Sequence, residues 1–397
     1  MMRARLRSVR SLTSLDWLYD PRTRGLILQV ALLVGVAALF IDIALNTAAN
    51  LKAQNIATGF GFLDKPAGFD ISQTLIGYSS TSTYGQVFWV GLANTLLVAV
   101  LGIVMATILG FVIGLARLSS NWLMARLATV YVEIVRNVPL LLQLLAWYFT
   151  LLISLPAPQT NVRLPFGIGV TNRGIYFPSP VWEPGLGATL LALVAGIAGA
   201  IAIGVWGRRK RLATGEQVPV FWYGLAAVVV PPLLVFLALR MPLSFEVPTL
   251  GRYNLEGGIA LLPELLALLL GLTLYTAAFI AEIVRAGIEA VPRGQKEAAR
   301  ALGLRPWQVQ RLVVIPQAMR VVIPPLTNQF LNLTKNSSLA VAIGYPDLVS
   351  VFAGTVLNQT NQAVEVILIT MGVYLAISLL TALGMNWFNA RMALVER

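Results

Sequence analysis

Residues 291–316 read VPRGQKEAARALGLRPWQVQRLVVIP and join two long apolar stretches. Pro292 breaks the end of the first stretch, and residues 295–302 are then strong helix formers. Gly303 predicts a left-handed C-cap for this short helix, and Pro306 suits the first turn of a second one. The pattern therefore predicts a helix–glycine–helix protrusion with alanines on one side and cations on the other. Such a protrusion suits docking in a groove of a soluble partner, but an ordinary solvated loop helix has the same pattern.

The composition places the rest of the chain in a membrane. Of its 397 residues, 57% are hydrophobic and only 12% are charged, and the mean hydropathy is +0.76. A soluble domain carries about 25% charged residues, so the composition excludes an ordinary cytosolic enzyme, a disordered chain and, despite the net charge of +12, a nucleic-acid partner. Cysteine and histidine are both absent, which excludes thiolate metal sites and removes the commonest general base. We therefore expect no catalytic and no metal-binding residues.

Eight stretches are long enough to cross the membrane, since a bilayer core needs about 20 apolar residues in a helix. We expect an all-α polytopic membrane protein with about eight transmembrane helices. The first stretch continues to Asp42 without a small-residue cleavage site, so it predicts a retained anchor. Pro324, Pro325 and several polar residues interrupt the seventh stretch, which predicts a broken or kinked helix. The stretches are 25–47, 88–116, 131–155, 185–206, 219–240, 258–285, 312–345 and 363–389.

Lysine and arginine are distributed unequally between the two sides of the predicted membrane. If the N-terminus is cytoplasmic, 22 of the 29 cations fall on the cytoplasmic side. This distribution follows the positive-inside rule and predicts that both termini are cytoplasmic, which requires an even number of helices. The same cations are attracted to anionic lipid at the inner leaflet.

The stretches also differ in polarity. The fourth and fifth are apolar almost throughout, whereas the third, sixth and seventh contain charged or amide side chains, which usually face a cavity or a partner. We therefore expect a five-helix core, a peripheral N-terminal helix and an inserted helix pair, with two external segments as caps. The predicted units are a basic cytoplasmic segment 1–24, the first helix and an external segment 25–87, the first part of the core 88–155, an external segment and the inserted pair 156–257, and the second part of the core 258–397 with short helices at 293–316.

The chain has no motif for hydrolysing nucleotides, because no G-x-x-x-x-G-K-[ST] loop occurs. If it moves a solute uphill, the energy must come from an ion gradient or from another subunit. An ion-driven transporter of small polar solutes needs acids near mid-membrane, whereas Glu133 and Glu282 lie near the predicted inner ends of helices. A membrane scaffold or sensor is a third interpretation, and it predicts no polar face within the membrane.

The helix–glycine–helix segment resembles the EAA loop of ATP-binding-cassette importer permeases, whose pattern is E-A-A, three residues, G, nine residues, I, any residue, L, P. Residues 131–149, 273–304 and 315–344 are similar to the polar amino-acid branch of these importers. The chain length and the entry sequence at 20–25 resemble the larger permease subunit of a general L-amino-acid importer. The residues that match the loop pattern, with two conservative departures, are Glu297, Ala298, Ala299, Gly303, Val313, Ile315 and Pro316.

The resemblance implies a bacterial inner-membrane permease that imports L-amino acids by alternating access. It implies that this chain binds no cofactor, because ATP and Mg²⁺ belong to the ATPase. The implied partners are two cytoplasmic ATPase subunits, a second permease that we expect to be a paralogue, a periplasmic amino-acid-binding protein and the lipid bilayer. An importer of another small solute fits the same sequence. The residues implied to couple to the ATPase are Glu297, Ala298, Ala299, Arg300, Gly303 and Leu304.

The seventh stretch contains a polar face that is a candidate for the solute pathway. Asn328, Asn332 and Lys335 follow i, i+4, i+7 spacing and therefore lie on one side of a helix. That side is polar among hydrophobic neighbours, so it predicts a pathway wall, although a polar helix–helix contact has the same pattern. Residues 335–339 also stand at the K-D-T-S-L position of the polar amino-acid branch. The candidate pathway residues are Asn328, Asn332, Lys335, Asn336, Ser337 and Ser338.

Two further spacings predict structural contacts. Glu133 with Arg136, and Glu282 with Arg285, are three residues apart, so each couple can form an ion pair at a helix end. Gly110 and the glycine four residues later predict close helix packing in the second stretch.

Overall fold

The computed structural model describes residues 21–54, 56, 58–160, 162–216, 218–240 and 243–392. Most of the predicted basic segment 1–24, with Arg3, Arg5, Arg7 and Arg10, lies outside these residues, as does Arg397. The α-helices of the described residues are α1 (Pro21–Ala53), α2 (Tyr84–Arg117), α3 (Trp122–Asn137), α4 (Leu140–Ser154), α5 (Leu186–Thr214), α6 (Val220–Ala238), α7 (Pro263–Glu289), α8 (Arg293–Ala301), α9 (Pro306–Val309), α10 (Ile315–Asn336), α11 (Leu357–Thr360) and α12 (Ala363–Met392).

Six of these helices are long and apolar enough to cross a membrane, and they are α1, α2, α5, α6, α7 and α12. The bent pair α3 and α4 is a seventh candidate. The expected all-α architecture is therefore confirmed for the membrane part of the described chain. The eighth predicted span, 363–389, corresponds to α12, whereas the seventh corresponds to α10, which is not among the six long apolar helices because polar side chains occupy one of its faces.

The third predicted span, 131–155, is not one straight helix. α3 and α4 meet at an angle of 106° at Val138 and Pro139. Pro139 has no N–H group, and the residue before a proline avoids the helical region, as the extended φ of −98° and ψ of 129° at Val138 illustrate. The amide of Gln143 donates to the carbonyl oxygens of Val135 and Val138, each at 2.9 Å, and so satisfies acceptors that the bend leaves free.

The seventh predicted span, 312–345, is broken as expected, but at a different place. α10 runs through Pro324 and Pro325 without interruption. It follows a π-helical turn at 310–314 and ends at Asn336, where a 3₁₀ segment continues from 337 to 343. Gly344 then reverses the chain with φ of 77°.

The centre of the core is the contact between α2 and α7. A Cβ atom added to Gly110 would lie 2.6 Å from Cβ of Ile280, and one added to Gly114 would lie 2.8 Å from Cβ of Val284. Such distances are shorter than any normal contact, so only glycine permits this packing. The predicted structural role of the Gly110 spacing is confirmed.

The segments before α5 and after α6 form short antiparallel strands, which the sequence did not predict. A four-stranded sheet has the order β1-β2-β3-β8, and its partners include Val162 with Val170 and Ile175 with Leu261. Two further pairs are β4 with β5 and β6 with β7. The strands are β1 (Val162–Leu164), β2 (Ile168–Thr171), β3 (Gly174–Phe177), β4 (Ser179–Val181), β5 (Ser244–Glu246), β6 (Thr249–Leu250), β7 (Leu255–Glu256) and β8 (Ile259–Leu261).

Candidate functional site

The protrusion has the predicted helix–glycine–helix geometry. α8 ends in a Schellman motif, in which Gly303 N donates to the Arg300 carbonyl at 2.9 Å and Leu304 N donates to the Ala299 carbonyl at 3.3 Å. Gly303 has φ of 78°, as a left-handed C-cap requires. Pro306 then opens α9, where the side chain of Gln308 accepts a hydrogen bond from Arg305 N at 2.9 Å.

The predicted coupling residues divide into an exposed and a buried group. Glu297, Ala298, Arg300 and Gly303 are exposed. Ala299 is only 4% exposed and belongs to the apolar cluster of Val291, Val309, Val314 and Ala318, against which Leu304 also packs. Ala299 and Leu304 therefore fasten the protrusion to its own chain, whereas the other four residues face outward.

Sequence reasoning missed two large apolar side chains on the outer side of the protrusion. Leu302 is 82% exposed and Trp307 is 56% exposed, with the Arg311 guanidinium 5.8 Å from the Trp307 ring centroid. Single exposed apolar residues are common on protein surfaces, so these two are of interest because they stand on the segment that is predicted to dock. The signal was present in the sequence, since both are large apolar residues among the cations of this segment.

Charged side chains connect the neighbouring ends of α2, α3 and α7. Glu282 of α7 accepts hydrogen bonds from Arg117 of α2 and, at 2.5 Å, from Arg285, which confirms the predicted Glu282–Arg285 pair. The predicted pair of Glu133 with Arg136 does not form. Arg136 instead lies 4.0 Å from Glu282 and 5.0 Å from the ring centroid of Phe279, because the bend after α3 directs this end of the helix toward α7.

The predicted pathway residues lie at the end of α10. Asn328, Asn332 and Lys335 are exposed on one face, as their spacing predicts. Ser337 is buried and donates to the Thr334 carbonyl at 2.7 Å, and Asn336 and Ser338 are half-buried.

Lys335 and Ser338 line a cleft of about 450 Å³. Its other lining residues, from α12 and the π-helical turn at 349–356, are Val349, Thr370, Met371, Tyr374, Leu375 and Ser378. The cleft is therefore formed by α10 and α12 with Lys335 as its positive charge. Asn328 and Asn332 lie farther along the same face of α10, outside the residues that line the cleft.

A buried carboxylate supports one wall of this cleft. Asp347 is fully buried and its Oδ1 accepts from Ser350 N at 2.8 Å, while the Tyr374 hydroxyl donates to Oδ2 at 3.3 Å. The residues on either side of Asp347 are attached to α2, because Asn94 donates to the Pro346 carbonyl at 2.8 Å and Thr95 accepts from Leu348 N at 3.0 Å. Sequence reasoning missed Asp347, although an acid between apolar segments is itself a signal.

Among the described residues, no three acidic, histidine or cysteine side chains come together as a metal site. The described residues instead combine an exposed, charged protrusion with a cleft that contains polar side chains, in an otherwise apolar helical body. These are the parts of a transport component: one part can bind a soluble partner and the other can hold a small polar solute.

Comparison with known proteins agrees with this class. Residues 200–394 match the family described as binding-protein-dependent transport system inner membrane component. The chain is 53% identical to the general L-amino acid transport system permease protein AapQ of Rhizobium johnstonii, over 96% of this chain and 95% of that protein. It is 50% identical to the putative amino-acid ABC transporter permease protein YhdX of Escherichia coli, over 95% and 96% of the two chains.

A third relative is the glutamate/glutamine/aspartate/asparagine transport system permease protein BztB of Rhodobacter capsulatus, with 41% identity over 96% of each chain. The class is thus a multi-pass membrane component of a transport system, not an enzyme. This chain belongs to the family of binding-protein-dependent inner membrane components, among the permeases of ABC transporters. The alternative of an ion-driven secondary transporter finds no support in these matches.

Proposed function

We propose that this chain imports L-amino acids from the periplasm to the cytoplasm as one permease of an ATP-driven transporter. The observation that carries the proposal is the 53% identity to a general L-amino acid permease over 96% of the chain. The same match supports this cargo over another small solute, because that relative is named for L-amino acids and the match covers 96% of this chain.

The protrusion is proposed to dock in a groove of a cytoplasmic ATPase. Its exposed surface combines Glu297 and Arg300, which can pair with partner charges, with Leu302 and Trp307, which can fill an apolar pocket. Ala298 is small and exposed, so a partner surface can approach α8 closely.

Movement of the protrusion reaches the cleft through α10. The buried contact of Ala299 with Val314 and Ala318 joins α8 to the first turns of α10. α10 has 22 residues, and a helix rises about 1.5 Å per residue, so Lys335 lies roughly 30 Å from that contact. A pull on α8 therefore displaces the wall of the cleft without any unfolding of the connection.

The cleft is proposed to bind the zwitterion of the amino acid during alternating access. A buried carboxylate needs a cation or hydrogen-bond donors, which Lys335 supplies, and an ammonium group needs acceptors such as the hydroxyls of Ser338 and Ser378. Asn328 and Asn332 extend the polar face along the remaining path, half-buried Asn336 borders it, and buried Ser337 supports it through its bond to the Thr334 carbonyl. The six residues predicted from the sequence remain proposals for the pathway.

The proposed complex contains two ATPase subunits that bind ATP and Mg²⁺, a second permease, which we take to be a paralogue, and a periplasmic binding protein. Both termini of this chain are proposed to be cytoplasmic. The protrusion and the cation-rich end of α5 then face the cytoplasm together, and the short strands face the periplasm.

Reconstitution in proteoliposomes tests the function. The chain alone is expected to show neither ATP hydrolysis nor uphill uptake of labelled L-glutamate and L-alanine. ATP-dependent uptake is expected when the ATPase, the second permease and the binding protein are added. Proton-driven accumulation by the chain alone would contradict the proposal, and so would uptake by the full complex that does not depend on ATP.

A further inference from the structure

The α5–α6 hairpin has a surface that no function above uses. Of the 18 most apolar consecutive residues in each helix, only 6% in α5 and 0% in α6 are buried. The two helices pack on each other through glycines: an added Cβ at Gly196 would lie 2.4 Å from the Ala227 carbonyl oxygen, and one at Gly207 would lie 2.2 Å from Cγ2 of Val220. The remaining faces of the hairpin are therefore exposed apolar surface that lipid acyl chains can cover.

Four consecutive cations stand near the end of α5. Within the connection 207–219 the sequence contains one acid, Glu216, and its Oε2 lies 2.7 Å from Lys210 Nζ. Lys210 also lies 5.6 Å from the ring centroid of Trp206. The other three cations, Arg208, Arg209 and Arg211, are exposed and form no ion pair in the part of the chain that the structure describes.

Exposed aromatic side chains mark the membrane surface at the same end of the hairpin. Trp206 is 53% exposed, and Phe221, Trp222 and Tyr223 of α6 are 71%, 66% and 54% exposed. Tryptophan and tyrosine concentrate where the apolar bilayer core meets the headgroups. Since a helix rises about 1.5 Å per residue, Arg209 lies roughly 4.5 Å beyond Trp206 along α5, on the side away from the apolar part of the helix.

We propose that Arg208 and Arg211, which lie one turn apart on α5, bind the phosphate diester of an anionic phospholipid, with Arg209 adding positive charge beside them. A guanidinium donates two parallel hydrogen bonds to phosphate oxygens, and the anionic headgroup supplies the charge that the arginines lack. The ligand is a lipid rather than free phosphate, because exposed apolar faces of α5 and α6 adjoin the same arginines and offer a surface for its acyl chains. One lipid molecule therefore satisfies both parts of the surface.

The test uses the purified full-length chain in detergent with bound lipids counted by native mass spectrometry. We expect the wild-type chain to retain phosphatidylglycerol in preference to phosphatidylcholine. The variant R208Q/R209Q/R211Q is expected to bind phosphatidylglycerol about 100-fold more weakly. Each of the three arginines is expected to contribute about fivefold to the affinity for anionic lipid, and the three factors multiply. The control R163Q/R173Q/R252Q removes the same charge from exposed arginines of the external segments and should leave the affinity unchanged.

Two outcomes would overturn the proposal. Equal loss in both triple variants would assign the binding to net charge, and displacement of phosphatidylglycerol by excess inorganic phosphate would assign the site to a free anion. Thermal unfolding of each variant checks its fold. If the first triple variant melts early, the single variants R208Q, R209Q and R211Q replace it, each with an expected loss of about fivefold.

Discussion

At the scale of single residues, one backbone angle at Gly303 fixes the turn between α8 and α9. Its φ of 78° is unfavourable for residues with a side chain, and strongly so for β-branched ones, yet no atom lies within 4 Å of an added Cβ. Gly303→Val is therefore expected to distort the turn by backbone strain alone, at roughly 1–2 kcal/mol. We expect the variant to insert normally and to lose about tenfold in ATP-coupled uptake, measured together with ATP hydrolysis on the purified complex.

Gly294→Val is the matched control for this prediction. It places the same side chain on the same protrusion, where an added Cβ also meets nothing within 4 Å, but at a position without a positive φ. Uptake by the control should remain close to wild type. Equal damage in the two variants would show that bulk on the protrusion, rather than the left-handed turn, is responsible.

Asp347 is the residue on which the wall of the cleft depends. Asp347→Ala leaves Ser350 N and the Tyr374 hydroxyl without their buried acceptor, which costs about 1–3 kcal/mol for each unsatisfied group. We expect a lower melting temperature of the purified chain and slower uptake. Asp64→Ala removes an exposed acid and should change neither quantity. A wild-type melting temperature in Asp347→Ala would mean that water replaces the carboxylate.

At the scale of secondary structure, the features that could be predicted are those that neighbouring residues in the sequence determine. Hydropathy identified the long helices, and the residues from Pro292 to Pro306 identified both short helices and the turn between them. Each of those features is decided by neighbours in sequence. The strands were missed because none is longer than four residues, too short for an alternating pattern.

Features that depend on distant residues could not be predicted in the same way. The 106° bend follows from Pro139, but its stability depends on how Gln143 turns back to satisfy free carbonyls. The cleft was predicted only from its α10 side, because Tyr374 is 39 residues from Lys335 and becomes its neighbour only when α12 folds back. Asp347 likewise needs α2 and α12 in place before its role is visible.

Two adjacent alanines of α8 have different surroundings: Ala299 is buried in the anchoring cluster, and Ala298 lies on the proposed docking surface. Ala299→Leu forces a larger side chain into the cluster with Val314 and Ala318, and overpacking a core costs about 1–3 kcal/mol. We expect it to lower the melting temperature of the isolated chain. Ala298→Leu lies on the exposed side, so the isolated chain should melt like wild type while its affinity for the ATPase falls about tenfold.

The pair of variants is decisive because the two changes are chemically identical. Binding of the ATPase is measured by titration against the purified chain in nanodiscs. If Ala298→Leu binds the ATPase as tightly as wild type, the exposed side of α8 is not the docking surface. If Ala299→Leu melts like wild type, the anchoring cluster is looser than its 4% exposure implies.

At the scale of the whole molecule, the chain combines a tightly packed core with weakly attached additions. Of the apolar membrane-length part of α7, 61% of the residues are buried, whereas the corresponding shares for α1, α5 and α6 are 0%, 6% and 0%. A rigid core suits a part that must transmit movement from the protrusion to the cleft. The additions bury little protein surface, so lipid is the environment that stabilises them.

The orientation of the chain gives the last prediction, and the natural absence of cysteine makes it directly testable. Single cysteines at Ser80, Ala213 and Asn389 would report on the segment before α2, the end of α5 and the end of α12, and all three positions are exposed. The positive-inside distribution places the first outside and the other two inside. In spheroplasts, a membrane-impermeant maleimide should therefore label Ser80→Cys at once, and Ala213→Cys and Asn389→Cys only after permeabilisation. Labelling of Ala213→Cys in sealed spheroplasts would invert the hairpin and place its arginines at the outer surface. Labelling of Asn389→Cys without labelling of Ala213→Cys would mean an odd number of crossings from α6 through α12, and α10 would then not cross the membrane.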